Sequence, residues 1–403
     1  MMLLPLTAIF GFFAICGGVL FSGQVDVTDS AESKIVKANN QLALSVLKAL
    51  DKKHNIVMSP WSLSMAFGMA YLGASGRTAH EMENVLGYGF VGIKGVSVHD
   101  LLRKEDNLLK SGSSDKNELS NANVVLIREG YTIFKSYKDN LKRFYNSSIT
   151  EINFTRRQGV LQWVNAWGYR SSKGNIRKLL TEVPPETTKL MILNGVYFKG
   201  KWSNPFNPDF TYVGPFTNEN GQKVFVPMMY TINEVLFTVD KKLGVYVVDL
   251  PYVGNDISMI IFLPTPNSNL EKVENALTLT TLDEILTQMG KETLQIILPK
   301  FELKDDRKLK ETLKSLGMQT AFSDIEADFS GITGTRDLFV EEVVHKAVIR
   351  VDEEGTEAAA NTVLTINSKR KPFEFLVNRP FLFLIRDNRR GVILFLGHVT
   401  ELK

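Results

Sequence analysis

Five histidines stand in the chain, His54, His80, His99, His345 and His398, and no two have the spacing of zinc ligands. Cys16 is the only cysteine, which leaves a structural zinc site without thiolates. No glycine loop of the phosphate-cradling kind occurs, and no nucleophile-elbow pentapeptide. A Ser/His/Asp triad can assemble from distant positions, but nothing in the sequence points to one. The chain therefore reads as not an enzyme, with no metal and no cofactor. The stretch that invites chemistry of another kind is Glu353-Glu354-Gly355-Thr356-Glu357-Ala358-Ala359-Ala360-Asn361-Thr362-Val363-Leu364-Thr365-Ile366-Asn367-Ser368-Lys369-Arg370-Lys371. Read with period two, one face is Thr356, Ala358, Ala360, Thr362, Leu364 and Ile366, grading from small to apolar. The other is mostly polar: Glu357, Ala359, Asn361, Val363, Thr365 and Asn367. That is the alternation of a half-buried strand. The acidic start, the alanine run and the three closing cations before Pro372 are those of an exposed loop. A stretch with both characters suits two conformations.

The elements that must hold this stretch are helix-rich in the first half and strand-rich in the second. Ser33 to Leu50 has apolar residues at helical spacing. Ser59 or a neighbour caps a helix running to about Leu72, with Pro60 in its first turn, and this helix is apolar nearly all round and so buried. Thr78–Leu86, capped by Thr78, and Val96–Leu109 are amphipathic helices. Ser136–Tyr145, Val160–Leu180, Leu282–Gly290 and Lys308–Leu316 are further helices. Strands are expected at Ala122–Ile127, Ile149–Phe154, Lys189–Phe198, Val224–Met229, Glu234–Val239, Val245–Tyr252, Ile257–Leu263, Leu294–Leu303, Asp337–Val351, Phe375–Ile385 and Val392–Leu396. Pro227 marks the fourth of these as an edge or a bulge. No βαβ rhythm, repeat or linker is present, so residues 24–403 read as one large α+β domain.

Of the 403 residues 44% are apolar and 23% charged, the composition of a soluble globular chain. A net charge of +3 is too small to argue for nucleic acid, and no block of five like charges marks a specialised tail. Residues 1–23 carry no charge and are mostly apolar, which reads as a secretory signal with an uncertain cleavage site. A signal anchor is the alternative. No later segment is apolar enough to span a membrane. With Cys16 inside the signal, the mature chain has no disulfide, so its stability rests on a large core. Two sequons, at Asn146 and Asn153, are candidate glycosylation sites.

Five motifs occur in order: Asn55-Ile-Val-Met-Ser-Pro-Trp-Ser62, Asn194-Gly-Val-Tyr-Phe-Lys-Gly-Lys-Trp202, His345-Lys-Ala-Val348, Glu353-Glu-Gly-Thr-Glu-Ala-Ala-Ala360 and Phe375-Leu-Val-Asn-Arg-Pro-Phe-Leu-Phe-Leu-Ile385. Together they resemble a serpin, from about Ser33 to Lys403. The resemblance implies three β-sheets, eight or nine helices and an exposed reactive-centre loop at about 355–371. In inhibitory members a protease cleaves that loop, is held as an acyl-enzyme, and is carried away as the loop inserts into the large sheet. Glu353, Glu354, Gly355, Thr356, Glu357, Ala358, Ala359 and Ala360 would form the hinge, where small side chains enter a closing gap at little steric cost. The resemblance maps Ser59, Ser62, Asn194 and His345 to a buried polar shutter beneath the opening sheet. It maps Trp202 to the breach where insertion begins, with Glu353 paired there to Lys300.

In inhibitory serpins the residue before the cleaved bond lies fourteen after the hinge glycine, which gives Lys369 and the bond Lys369–Arg370. The spacing to Pro380 agrees. A cation there suits a protease whose specificity pocket holds a buried carboxylate, as in trypsin. Arg370–Lys371 is the alternative bond, and Pro372 disfavours cleavage after Lys371. The expectation is a secreted, monomeric inhibitor of trypsin-like serine proteases, with a non-inhibitory carrier or chaperone as the alternative. Glycosaminoglycan activation is weakly supported. Arg103, Lys104 and Lys110 lie on or beside the helix at 96–109, but so do Asp100, Glu105 and Asp106.

Overall fold

The computed structural model describes residues 31–111, 117–354 and 371–403. The chain opens with α1 (Ala31–Ala49), β1 (Ile56–Met58), α2 (Pro60–Tyr71), α3 (Gly76–Val85) and α4 (Val96–Ser111). There follow β2 (Glu118–Arg128), α5 (Lys135–Tyr145), β3 (Ile149–Ile152), α6 (Arg157–Ser171) and β4 (Leu190–Lys199). A β-rich run holds β5 (Tyr212–Thr217), β6 (Lys223–Asp240), β7 (Val245–Pro251) and β8 (Ile257–Pro264). Then come α7 (Leu270–Ala276), α8 (Leu279–Thr287), β9 (Gly290–Pro299), β10 (Phe301–Lys308), α9 (Lys310–Ser315) and α10 (Ser330–Thr333). The chain closes with β11 (Val340–Val351), β12 (Phe373–Leu376), β13 (Phe381–Asp387) and β14 (Ile393–Val399).

One five-stranded sheet has the order β10-β11-β4-β2-β3, and a nine-stranded sheet runs β1-β14-β13-β8-β7-β6-β9-β12 with β5 on β6. Helix α2 lies at their centre with every residue buried, as its all-round apolar sequence requires. Its Pro60 occupies the first turn, and Ser59 Oγ accepts the amide of Ser62. In the five-stranded sheet β11 and β4 are parallel neighbours, in register from Glu342–Met191 to Ile349–Phe198 after an irregularity at Val340.

The architecture is the α+β one expected, with differences in detail. Ten α-helices and two hydrogen-bonded sheets stand among the described residues, where eight or nine helices and three sheets were implied. The sheets merge because β6 is one strand of 18 residues, where Val224–Met229 and Glu234–Val239 read as two. It pairs with β5, β7 and β9 along its length. Pro227 sits inside it, and its carbonyl accepts the Lys300 amide. Helix α6 stops at Ser171 rather than Leu180 because Lys173 and Gly174 both have positive φ, at 51° and 90°. Thr78 is not a cap: it is buried, its hydroxyl accepting the Asp328 amide, and α3 starts after Ser75. Pro299 divides the expected strand Leu294–Leu303 between β9 and β10, and Asn378-Arg379-Pro380 divides Phe375–Ile385 between β12 and β13.

Candidate functional site

The parallel seam between β4 and β11 is closed from beneath by a polar cluster at the start of α2. Asn194 of β4 and His345 of β11 are register partners, and Asn194 faces Asn123 across the β4–β2 pairing. All three therefore project toward α2. His345 Nε2 accepts the backbone amide of Ser59 at 3.2 Å, so its proton sits on Nδ1, which donates to Asn194 Oδ1. Asn194 Nδ2 donates to Ser62 Oγ and to Asn123 Oδ1. Ser62 Oγ donates in turn to Asn121 Oδ1 at 2.5 Å. Ser59, Ser62, Asn194 and His345 are all buried. Burial, aided by the nearby Arg307 guanidinium, pushes the imidazole down to about 3, so it is neutral at physiological pH.

The structure thus brings the four expected shutter residues into one network spanning three strands and a helix N-terminus. Sequence reasoning missed Asn121 and Asn123. Their signal was present as two asparagines at period two in a strand-like run, Ser120-Asn-Ala-Asn-Val124.

The upper end of the seam is held by a second cluster. Trp202 Nε1 donates to the Asp352 carbonyl at 2.9 Å, and its ring stacks on Tyr252 with centroids 4.5 Å apart. Phe206 meets its edge. Gly200 lies against the same tyrosine, where a Cβ would overlap the ring. Lys300 Nζ donates to Glu353 Oε2 at 2.7 Å, the pairing expected from sequence, and Thr211 Oγ1 donates to Oε1 at 2.9 Å. Burial raises the Glu353 carboxyl, but the hydrogen bonds from Lys300 and Thr211 outweigh it and leave it below the usual carboxylate range. Arg350 and Lys199 hold Asp352 at 2.9 and 3.6 Å, and Lys199 also reaches Glu354 at 3.4 Å. Asp352, Arg350, Lys199 and Thr211 were not singled out from sequence. The run of three acids at 352–354 with Arg350 just upstream was the available signal.

Gly355, Thr356, Glu357, Ala358, Ala359, Ala360, Lys369 and Arg370 lie outside the described residues, as does the 1–23 segment. Asn146 is exposed at the C-cap of α5 with left-handed backbone. Asn153 is half-buried, its Oδ1 accepting from the amide and hydroxyl of Thr155. No His/Cys/Asp/Glu group able to hold a metal occurs among the described residues, and none of their helices is long and apolar enough to cross a membrane.

Comparison with known proteins bears on this geometry. The family model for serpins (serine protease inhibitors) matches residues 37–402. Intracellular coagulation inhibitor 2 of Tachypleus tridentatus is 38% identical over 93% of this chain and 92% of its own length. Iripin-8 of Ixodes ricinus is 37% identical over 92% of this chain and 94% of its own. Among solved structures, mouse protein Z-dependent protease inhibitor superposes with a TM-score of 0.85 at 29% identity, covering 93% of this chain and 98% of that one. The sheet seam, its polar lock and these likenesses agree, and the chain belongs to the serpin family.

Proposed function

We propose that the protein is a secreted suicide-substrate inhibitor of trypsin-like serine proteases, cleaved at Lys369–Arg370. The observation that carries the reading is the parallel β4–β11 seam. Asp352, Glu353 and Glu354 leave the top of β11, so a strand that turned back from there would run antiparallel to β11 and, because β4 is parallel to β11, to β4 as well. Insertion would break one parallel ladder and make two antiparallel ones, the better pairing per residue. The net gain is about one ladder, on the order of ten hydrogen bonds at roughly 0.5–1.5 kcal/mol each. That is comparable with the ~5–15 kcal/mol that holds a whole domain together, enough to displace an attached protease.

The small residues from Thr356 to Ala360 support the inhibitory reading over a carrier. The cations at 369–371 support a trypsin-like target, and the uncharged segment 1–23 supports secretion. The inhibitor names of the relatives, coagulation inhibitors among them, accord with a proteolytic cascade as the setting. The test is incubation with a panel of trypsin-, chymotrypsin- and elastase-like enzymes, read on denaturing gels, with mass spectrometry of the released C-terminal peptide. A gel-stable complex with the trypsin-like enzymes and a peptide beginning at Arg370 are expected. A peptide beginning at Lys371 moves the bond to Arg370, and complex with elastase-like enzymes alone refutes the specificity.

A further inference from the structure

The helix that gave glycosaminoglycan activation its weak support has most of its cations paired, Lys104 excepted. In α4, Arg103 pairs with Asp100 at 3.2 Å and Lys110 with Asp106 at 2.5 Å, while Glu105 is buried under the Arg390 guanidinium. Positive charge gathers elsewhere. From Thr155 to Thr181 the chain holds Arg156, Arg157, Arg170, Lys173, Arg177 and Lys178 and no acid, although the whole chain carries only +3. The C-terminal part of this run, the connection from α6 to β4, forms one wall of a groove of about 610 Å³. Arg177 and Lys178 stand on that wall. Lys304 of β10 and Lys346 of β11 stand on the other, beside Glu302. Glu302 pairs with Lys304 at 3.1 Å and Asp306 with Lys346 at 3.3 Å. Arg177 and Lys178 are exposed and have no ion-pair partner among the described residues.

The groove lies over the seam. The connection packs onto β4 through Ile176 and Leu179, whose side chains meet the Cα of Gly195, a position with no Cβ to push them off. Gly195 is the register partner of Lys346 on β11. On its far side the connection is tied to β2, Asn175 Nδ2 donating to Glu118 Oε1 at 3.0 Å. One wall therefore rides mainly on β4 and β2, with one tie across the seam where Glu182 meets Lys308 of β10 at 2.6 Å, and the other wall stands on β11 and β10. We propose that this groove binds a linear oligoanion bearing sulfate or phosphate groups, and that the bound anion staples the seam shut. It would join Arg177 and Lys178 to Lys304 and Lys346 across the line along which β4 and β11 part. A ligand that prefers the closed sheet opposes opening by its differential affinity. Such an anion slows loop insertion and diverts the serpin from inhibitor toward substrate, the opposite of activation. This consequence rests on the inhibitory reading above; the binding itself does not.

Binding is measured first, with a heparin-derived oligosaccharide and with inorganic polyphosphate, on intact protein and on protein nicked within 355–370 by a protease it does not inhibit. The intact form is expected to bind about tenfold more tightly than the nicked form, since separation of the walls removes half the contacts. Arg177→Ala combined with Lys178→Ala is expected to weaken binding of the intact form by about tenfold, with a shallower salt dependence and an unchanged melting midpoint. Binding by the oligosaccharide alone identifies a sulfated glycan, and by polyphosphate alone a phosphate chain; either supports the site. No binding by either, equal affinity for both forms, or undiminished binding by the double variant overturns it. With trypsin, either bound anion is expected to raise the ratio of cleaved serpin to covalent complex severalfold in the wild type and not in the double variant. If the wild type forms no complex without anion, the inhibitory reading fails while the binding result stands.

Discussion

At the scale of single residues the account rests on side chains with one task each. On the proposed reading Lys369 would supply the cation for a carboxylate-bearing pocket, so Lys369→Ala should slow inhibition of trypsin at least about a hundredfold, measured as the second-order association rate. Thr356 is expected to enter the sheet first among the inward residues. Thr356→Arg should leave recognition intact but bury an unpaired guanidinium at a cost of several kcal/mol. The densitometric ratio of covalent complex to cleaved product should then collapse, and an unchanged ratio would refute insertion at this hinge. His345 makes a pH prediction. Its folded-state value, about 3, lies below the ordinary value of 6.5. Between those limits the unfolded chain takes up a proton that the folded one refuses. Stability is thus undiminished above pH 6.5 and falls as pH drops toward 3, by up to ~1.4 kcal/mol per unit from this residue. Urea midpoints at stepped pH, compared with those of His345→Gln, measure it: a wild-type slope equal to the variant's would remove His345 as the cause.

At the scale of elements, α2 is the support on which the seam closes. Ser59→Ala removes the side-chain cap and should cost about 1 kcal/mol, read as a shift in the denaturation midpoint. Losing the cap loosens the helix start that presents the Ser59 backbone amide to His345, so the variant should start inserting its loop into itself at a lower temperature. The elements were largely legible. The buried α2, capped at Ser59 with Pro60 inside its first turn, follows from residue types alone, as does the apolar run of β4. What was not legible followed from non-local contacts or backbone sign. The continuity of β6 comes from partners on both sides, which override Pro227. The end of α6 depends on left-handed backbone at Lys173, a lysine that gives no such warning. Thr78 looks like a cap and is spent on the Asp328 amide, a partner far along the chain. The polar lock was legible in Ser59, Ser62, Asn194 and His345 only through the resemblance. Spacing alone does not reveal that residues so far apart in sequence share a register.

At the scale of the whole molecule, the native sheet has five strands, and the proposed mechanism would add a sixth between β4 and β11. The β4–β11 ladder is one of two parallel pairings in that sheet; the polar lock sits under its middle and the Lys300–Glu353 pair at its upper end. On the proposed mechanism, a fold closed this way would hold free energy that is released only when the loop is freed at one end. The direct measurement of that reserve is the thermal unfolding midpoint before and after a single cut within residues 355–370. Insertion of a sixth strand should raise the midpoint by on the order of ten degrees or more, the yield of about one added ladder. A midpoint unchanged or lowered by the cut would show that the loop does not enter the seam, and would contradict the account.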